Sequence, residues 1–342
     1  MKKISLGLIL TAFIALVSCG SQAQPVSSMS EKDVFAMDTF MTMKAYGTDS
    51  DKALEKAEKR IIQLEDELSV TKTDSDISRI NSAGGEDVEV SDDTAVLVKA
   101  AQDYGKLTNG ALDVTVYPVL AEWGFTTGEY HIPDEDTIKS LLENVGYENI
   151  SLSGNTVQIP PEYQIDMGAL AKGYTGDMIM DIFRENGVTS GIISLGGNIQ
   201  TIGKKPDGSQ WRVSVRDPFS PDDNLCILEI SDKAVITSGN YERFFTGDDG
   251  KNYWHIIDPN DGYPADNGLV SVTIIGENGL MCDALSTALF SAGTEKAKTY
   301  WKEHGDFDMV LVTDDKHIIY TDGLSGSFEN VSGLTDEVLT HD

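Results

Sequence analysis

The 342-residue chain carries 56 acidic against 26 Lys and Arg side chains, a formal net charge of −30. Such a surface repels nucleic acid, whose phosphates are held by Lys and Arg, and repels small anions unless a metal or a local cluster of donors intervenes. The length suffices for one large domain or two small ones with a sizeable core.

Lys2 and Lys3 precede an apolar run from Leu6 to Val17. That run is too short for a spanning helix, which needs about 20 residues, and fits the h-region of a signal segment over 1–18. It ends in Leu16-Val17-Ser18-Cys19, which resembles the bacterial lipobox, with Cys19 as the lipidated residue. A conventional signal peptide ending near Ala23 is the alternative. Residues 19–32, lidded by the lipidated Cys19, are small, polar and unpatterned and read as a tether. No later segment approaches about 18 apolar residues, so 33–342 is expected to be one soluble domain. Cys226 and Cys282 are read as single buried residues, not as a disulfide.

Residues 35–46 read as an opening strand. Ala53, Leu54, Ala57, Ile61, Leu64 and Leu68 fall at helical spacing and predict a helix over 51–68. A second helix is expected over 92–106, opened by Ser91 or Asp92 and stopped at Asn109-Gly110. A third follows over 134–144. Beyond residue 150, β-rich runs dominate at 150–159, 191–202, 211–216, 225–236, 253–257, 269–275 and 308–320. Helices interrupt them at 168–186, 281–291 and 294–304. This order implies an α+β fold with mixed or antiparallel sheets and packed helices, in one domain of one or two lobes, not a βαβ alternation.

Four segments could carry chemistry. Asp166 to Tyr174 (DMGALAKGY) sits where a strand gives way to a helix. Its glycines and helix start favour an anion, with Lys172 adding charge, but a strand–turn–helix junction with one lysine is more often plain architecture. Ser194 to Asn198 (SLGGN) is a tight turn or a close approach to a flat ligand. His255, in a predicted strand beside Asp258 and downstream of Thr237-Ser238-Gly239, is either a proton acceptor or a hydrogen-bonded structural histidine. Asp283 and Thr287 stand four apart on a helix and so share a face. They are oxygen ligands suited to a hard cation such as Mg2+, or Asp283 is a helix cap.

Together these segments resemble one family, the ApbE-type FAD:protein FMN transferases. The resemblance rests on Met37-Asp38-Thr39-Phe40, Gly110 to Thr115 (GALDVT), the Asp166–Asp177 stretch, Leu195 to Asn198, the Thr237–Arg243 stretch, His255 to Asp258-Pro259 and Asp283 to Thr287, in the family's order across 35–292. It implies a T-fold-like architecture and a reaction in which FAD is cut at its pyrophosphate, AMP leaves and FMN is joined to a threonine of another protein. It further implies Mg2+ held by Asp283, Thr287 and the Ala171 carbonyl. FAD would lie against Met37, Ala111, Leu112, Asp113, Asp166, Lys172, Thr175 and His255, with His255 and Asp283 tied to catalysis. The implied acceptors are flavin-carrying subunits of membrane redox complexes or extracytoplasmic proteins with an FMN-binding domain. The enzyme would be anchored on the extracytoplasmic side of the cell membrane.

Two departures stand out. Asp38 occupies a position where the family often has glycine, and Thr71 one where many members place an aromatic residue that stacks on flavin. Tyr241 or Trp254 is expected to supply that ring instead. Two other readings fit parts of the sequence: a hydrolase that gives water the place of threonine, and a solute-binding lipoprotein. The motif set discriminates against the latter.

Overall fold

The computed structural model describes residues 28–341. The signal segment, Cys19 and most of the tether lie outside them. The tether's last residues are corrected: Met29 already opens a paired strand, because Lys32 and Val34 lie in an antiparallel ladder.

The expected strand over 35–46 is a hairpin of β1 (Met29–Ala36) and β2 (Thr39–Tyr46). Its two-residue turn, Met37-Asp38, has φ of 50° and 56°, the left-handed geometry that matches strand twist. Asn-Gly or Asp-Gly usually marks such a turn, so nothing in Met37-Asp38 announced it. A non-glycine residue there costs about 1–2 kcal/mol, which gives the family's glycine at the Asp38 position a physical reason.

Helix α1 (Ser50–Leu68) buries the predicted apolar stripe. A short α2 (Asp76–Ser82) and β3 (Val88–Glu89) lead to α3 (Asp92–Leu107). Ser91 caps α3 by accepting the Thr94 N–H, and Asn109 and Gly110, both at positive φ, end it. After α4 (Tyr117–Glu122) comes α5 (Glu135–Leu142), capped by Asp134. The run at 150–159 folds as the small hairpin β4 (Ser151–Ser153) and β5 (Thr156–Gln158).

Next come α6 (Ala171–Glu185), β6 (Ser190–Leu195), β7 (Asn198–Ile202), β8 (Trp211–Asp217), β9 (Ser220–Ile230) and β10 (Ala234–Gly239). The single run expected at 225–236 is thus two strands in different sheets. Strands β11 (Phe244–Thr246) and β12 (Asn252–Trp254) form a separate ribbon. His255 falls just after β12, not inside a strand. The chain closes with β13 (Leu269–Gly276), α7 (Gly279–Ala292), α8 (Thr294–His304), β14 (Asp308–Thr313), β15 (His317–Thr321), β16 (Phe328–Asn330) and β17 (Thr335–Leu339).

The frame is a nine-stranded sheet in the order β1-β2-β6-β7-β10-β13-β14-β15-β17. All of its pairs are antiparallel except β15 with β17. On one face α1 and α6 pack on β1, β2 and β6 through Leu54, Ile61, Met41, Met43 and Phe183. Helices α7 and α8 pack on β10, β13 and β14 through Leu285, Leu289, Phe290 and Trp301. The sheet β16-β9-β8 covers part of the other face, with Trp211, Val213, Leu225 and Leu228 against Val235, Ile275 and Val310. Strand β13 is buried along its whole length, as an unbroken LVSVTII run demands. Each large apolar side chain so buried contributes about 1.5–3 kcal/mol. A smaller aromatic core of Trp123, Phe125, Phe245, Tyr253 and Tyr263 joins the 117–142 segment to the β11–β12 ribbon. Cys226 and Cys282 are buried free thiols. The fold is α+β. Among the described residues no helix is long and apolar enough to cross a membrane.

Candidate active site

A cleft of about 950 Å³ opens at the end of the nine-stranded sheet. The Met37-Asp38 turn, the Gly196-Gly197 turn and the Gly239 end of β10 form its rim; the first turn of α6 and the middle of α7 form its floor; the aromatic core supplies a side wall.

The floor depends on how closely α6 approaches α7. A side-chain carbon on Gly173 would lie 2.2 Å from the Gly279 carbonyl oxygen and 2.7 Å from Asp283 Cβ. Only glycine allows that distance. Asp177 of α6 accepts the N–H groups of Gly279 and Leu280 at 2.7 and 2.9 Å, capping α7 from outside, while Asn278 caps it from within. Asp283 is 3% exposed. It accepts the Gly173 N–H at 2.8 Å and the Asn198 amide at 3.1 Å. The cap alternative is therefore met in an unexpected form, since Asp283 caps α6 and not its own helix. Burial raises its carboxyl above the usual range, and the Lys172 charge opposes this.

Ala171, Asp283 and Thr287 all line this cleft. The Ala171 carbonyl stands in the first turn of α6 and accepts the Thr175 hydroxyl at 2.7 Å. The Thr287 hydroxyl lies 3.2 Å from that of Ser238. One carboxylate, one hydroxyl and one carbonyl are hard oxygen donors and fit a magnesium ion that completes its shell with phosphate and water. Among the described residues no three His, Cys, Asp or Glu side chains converge to hold an ion.

His255 lines the wall. Its backbone N–H and its Nδ1 both reach the Arg243 carbonyl, at 3.1 and 3.2 Å. A carbonyl only accepts, so the ring proton is assigned to Nδ1 and Nε2 keeps a lone pair. Burial, then the nearby Arg243 and Lys172 charges, lower this histidine to about 4. It is neutral and a proton acceptor at pH 7.

Lys172 donates to the Gly168 carbonyl at 3.4 Å, and Asp166 accepts the Gly168 N–H at 3.1 Å. Burial raises the Asp166 carboxyl, against the Lys172 and Arg243 charges. Lys72 and Arg216 line the cleft paired with Glu65 and Asp66 and with Glu242, which leaves Lys172 and Arg243 as its cations without an ion pair among the described residues, the local charge that an acidic chain needs in order to meet an anion.

Met37, Ala111, Leu112 and Asp113 reach the cleft as expected. The Asp113 carboxylate is committed elsewhere, accepting from Thr115 N and Oγ1 and from Tyr147 N at 2.6–2.9 Å. Thr175 is corrected: it is fully buried behind the wall, occupied by the Ala171 carbonyl. Trp254 is corrected too, because its indole N–H donates to the Ala265 carbonyl and its ring packs in the α7 core. Tyr241 does line the cleft, with Tyr117, Phe125 and Thr71.

Sequence reading missed Asp177, Arg243 as a cleft cation, and Glu65, whose carboxylate accepts the strained Met37 N–H at 2.6 Å and a bond from Lys72. Glu65 sits on an ordinary charged helix face and gave no signal. Arg243 stood twelve positions before His255 without any cue that a ribbon folds it back.

The ApbE family model matches residues 37–311. The chain belongs to the ApbE family. An FAD:protein FMN transferase of Klebsiella pneumoniae is 34% identical over 269 residues, covering 76% of this chain and 83% of the relative. One of Escherichia coli K12 is 29% identical, covering 87% and 89%. Among solved structures, the ApbE protein of Thermotoga maritima has a TM-score of 0.83 at 31% identity, over 88% of this chain and 99% of that one. The flavin transferase ApbE of Vibrio cholerae has a TM-score of 0.75 at 29% identity, over 84% and 94%. Those ApbE proteins share the α+β fold described above.

Proposed function

We propose that this chain cleaves FAD at its pyrophosphate and joins the FMN half to a threonine hydroxyl of another protein, releasing AMP. The observation that carries the reading is the meeting, in one cleft, of a neutral His255 with a free Nε2, the Asp283–Thr287–Ala171 oxygen set, and the Lys172 and Arg243 charges. The family relatives named FAD:protein FMN transferase support it. The chain is an enzyme of the transferase class by that membership.

Asp283, Thr287 and the Ala171 carbonyl would hold a magnesium ion, which supplies charge neutralisation at the diphosphate and polarises the phosphoryl group. Lys172 and Arg243 orient the same phosphates. Nε2 of His255 accepts the proton of the incoming hydroxyl. The new bond is oxygen to phosphorus; the pyrophosphate bond breaks, and its electron pair leaves with AMP. Met37, Ala111 and Leu112 supply apolar wall against the flavin, with Tyr241 the ring best placed to stack.

The lipobox at Cys19 places the enzyme, in this reading, on the extracytoplasmic side of the cell membrane. A diacylated anchor holds there stably and raises the effective concentration of membrane-bound acceptors. Those acceptors are flavin-carrying redox subunits or FMN-binding-domain proteins.

The test incubates the soluble domain with FAD, Mg2+ and a purified FMN-binding-domain protein, following AMP and acceptor mass. An acceptor heavier by one FMN is the expected result. AMP without modified protein would assign a hydrolase, and intact FAD would leave a binding protein.

A further inference from the structure

Strand β8 lines one part of this cleft, and the reaction proposed above gives it no role. Strand β8 pairs with β9 on one side and, among the described residues, with no strand on the other. Val213, Ser214, Val215 and Arg216 all line the cleft. Their side chains alternate, Val213 and Val215 into the core, Ser214 and Arg216 outward. Four consecutive residues of opposite orientation meet one cavity only along the strand's edge. The cavity therefore runs beside the unpaired N–H and C=O groups of β8, and such an edge is a template for another strand.

The face of the large sheet on which β8 packs carries two exposed rings. Tyr46 of β2 meets Trp211 of β8 with ring centroids 6.1 Å apart. Phe40 points to the same side, six residues along, and is 73% exposed; its cross-strand partner Phe35 is 64% exposed. The two rings meet edge to face at 5.5 Å. They flank the Met37-Asp38 turn, which is cleft rim, yet neither lines the cleft.

We propose that an extended segment of the acceptor protein adds as a strand to the free edge of β8, anchored by the Phe35–Phe40 pair, and so delivers its hydroxyl over the sheet end to His255. This rests on the transferase reading. A protein substrate must reach the cleft that takes FAD, and an edge strand receives an extended chain where a folded surface would not fit. The rim also carries Asp222, Asp223 and Glu242. Main-chain hydrogen bonds and aromatic contacts give affinity there without needing a basic partner.

Hydrogen exchange of the full chain is measured alone, with FAD, and with a purified FMN-binding-domain protein that the wild-type chain labels. Protection of the Val213–Arg216 amides by the acceptor, and not by FAD alone, is expected. The Phe35→Ser/Phe40→Ser double variant should raise the acceptor KM about tenfold or more, with FAD affinity by flavin fluorescence within twofold of wild type. Protection by FAD alone, or an unchanged acceptor KM, overturns the docking surface. Failure of the wild-type chain to label any acceptor overturns the transferase reading itself, and this inference with it.

Discussion

Asp283 combines two duties that pull its chemistry in one direction. It accepts hydrogen bonds from Gly173 and Asn198, and its remaining lone pairs belong to the cleft. Replacing it with alanine should lower Mg2+-dependent FAD turnover at least about 100-fold, roughly 2.7 kcal/mol of transition-state stabilisation. Wild-type turnover in Asp283→Ala, measured as AMP release, would refute the metal assignment. The same change leaves the Gly173 N–H buried and unpaired, so thermal unfolding should show a loss of about 1–3 kcal/mol. His255 makes a pH prediction. Its folded-state value is about 4, below the ordinary 6.5. His255 should therefore lose its proton-accepting form only near pH 4, and it contributes no loss of kcat/KM across pH 5.5–7. Stability follows the same sign. Between 6.5 and 4 the unfolded chain takes up a proton that the folded chain refuses, so this histidine's contribution is present above pH 6.5 and is lost as pH falls towards 4. A limb centred near 6.5 in a pH–rate profile would contradict the desolvated environment.

At the scale of elements, the site is made by the contact of α6 with α7. Gly173 has no room for a methyl group, and Asp177 ties the start of α7 to α6. Gly173→Ala should cost about 1–3 kcal/mol by overpacking and reduce turnover as well, because the helix that must move carries Asp283 and Thr287. Calorimetry and AMP release on one sample test this; a stable, fully active variant would show that the floor tolerates separation. The elements were legible where one periodicity ran long. Helix α1 shows its stripe plainly, and α8 occupies the expected 294–304. They were illegible where turns used unmarked residues. Met37-Asp38 splits one apparent strand into a hairpin, and Asp232 at φ 54° divides the 225–236 run between two sheets.

At the scale of the whole molecule, β1 is the outermost strand of the large sheet, yet Val34 and Ala36 belong to the core under α1. Removing residues 1–27, which keeps the Ser28–Gly47 hydrogen bonds, should leave the melting temperature unchanged, whereas removing 1–36 should abolish cooperative unfolding or lower it sharply. Equal melting of the two truncations would mean that β1 adds nothing. If Cys19 carries lipid, Cys19→Ser should move the protein from the membrane fraction to the soluble one in cell fractionation, with the turnover of the purified domain unaltered. Retention of that variant in the membrane would overturn the anchor.

The amino-acid order by itself determined the α+β class, most helices and the set of segments that meet at the site, because periodicity, caps and motif residues act over a few neighbouring positions. It left Asp283 undecided between cap and ligand, put Thr175 on the wall and His255 in a strand, and offered Trp254 as a flavin platform. Only the tertiary structure shows where each of these side chains lies and what it bonds, because that depends on which distant backbone lies within about 3 Å. Gly173 from one helix turns Asp283 into a cap for its neighbour, the Arg243 carbonyl fixes the tautomer of His255, and the Ala265 carbonyl draws Trp254 away from the cleft. Such partners lie 11 to 110 residues apart along the chain, beyond the reach of any local pattern.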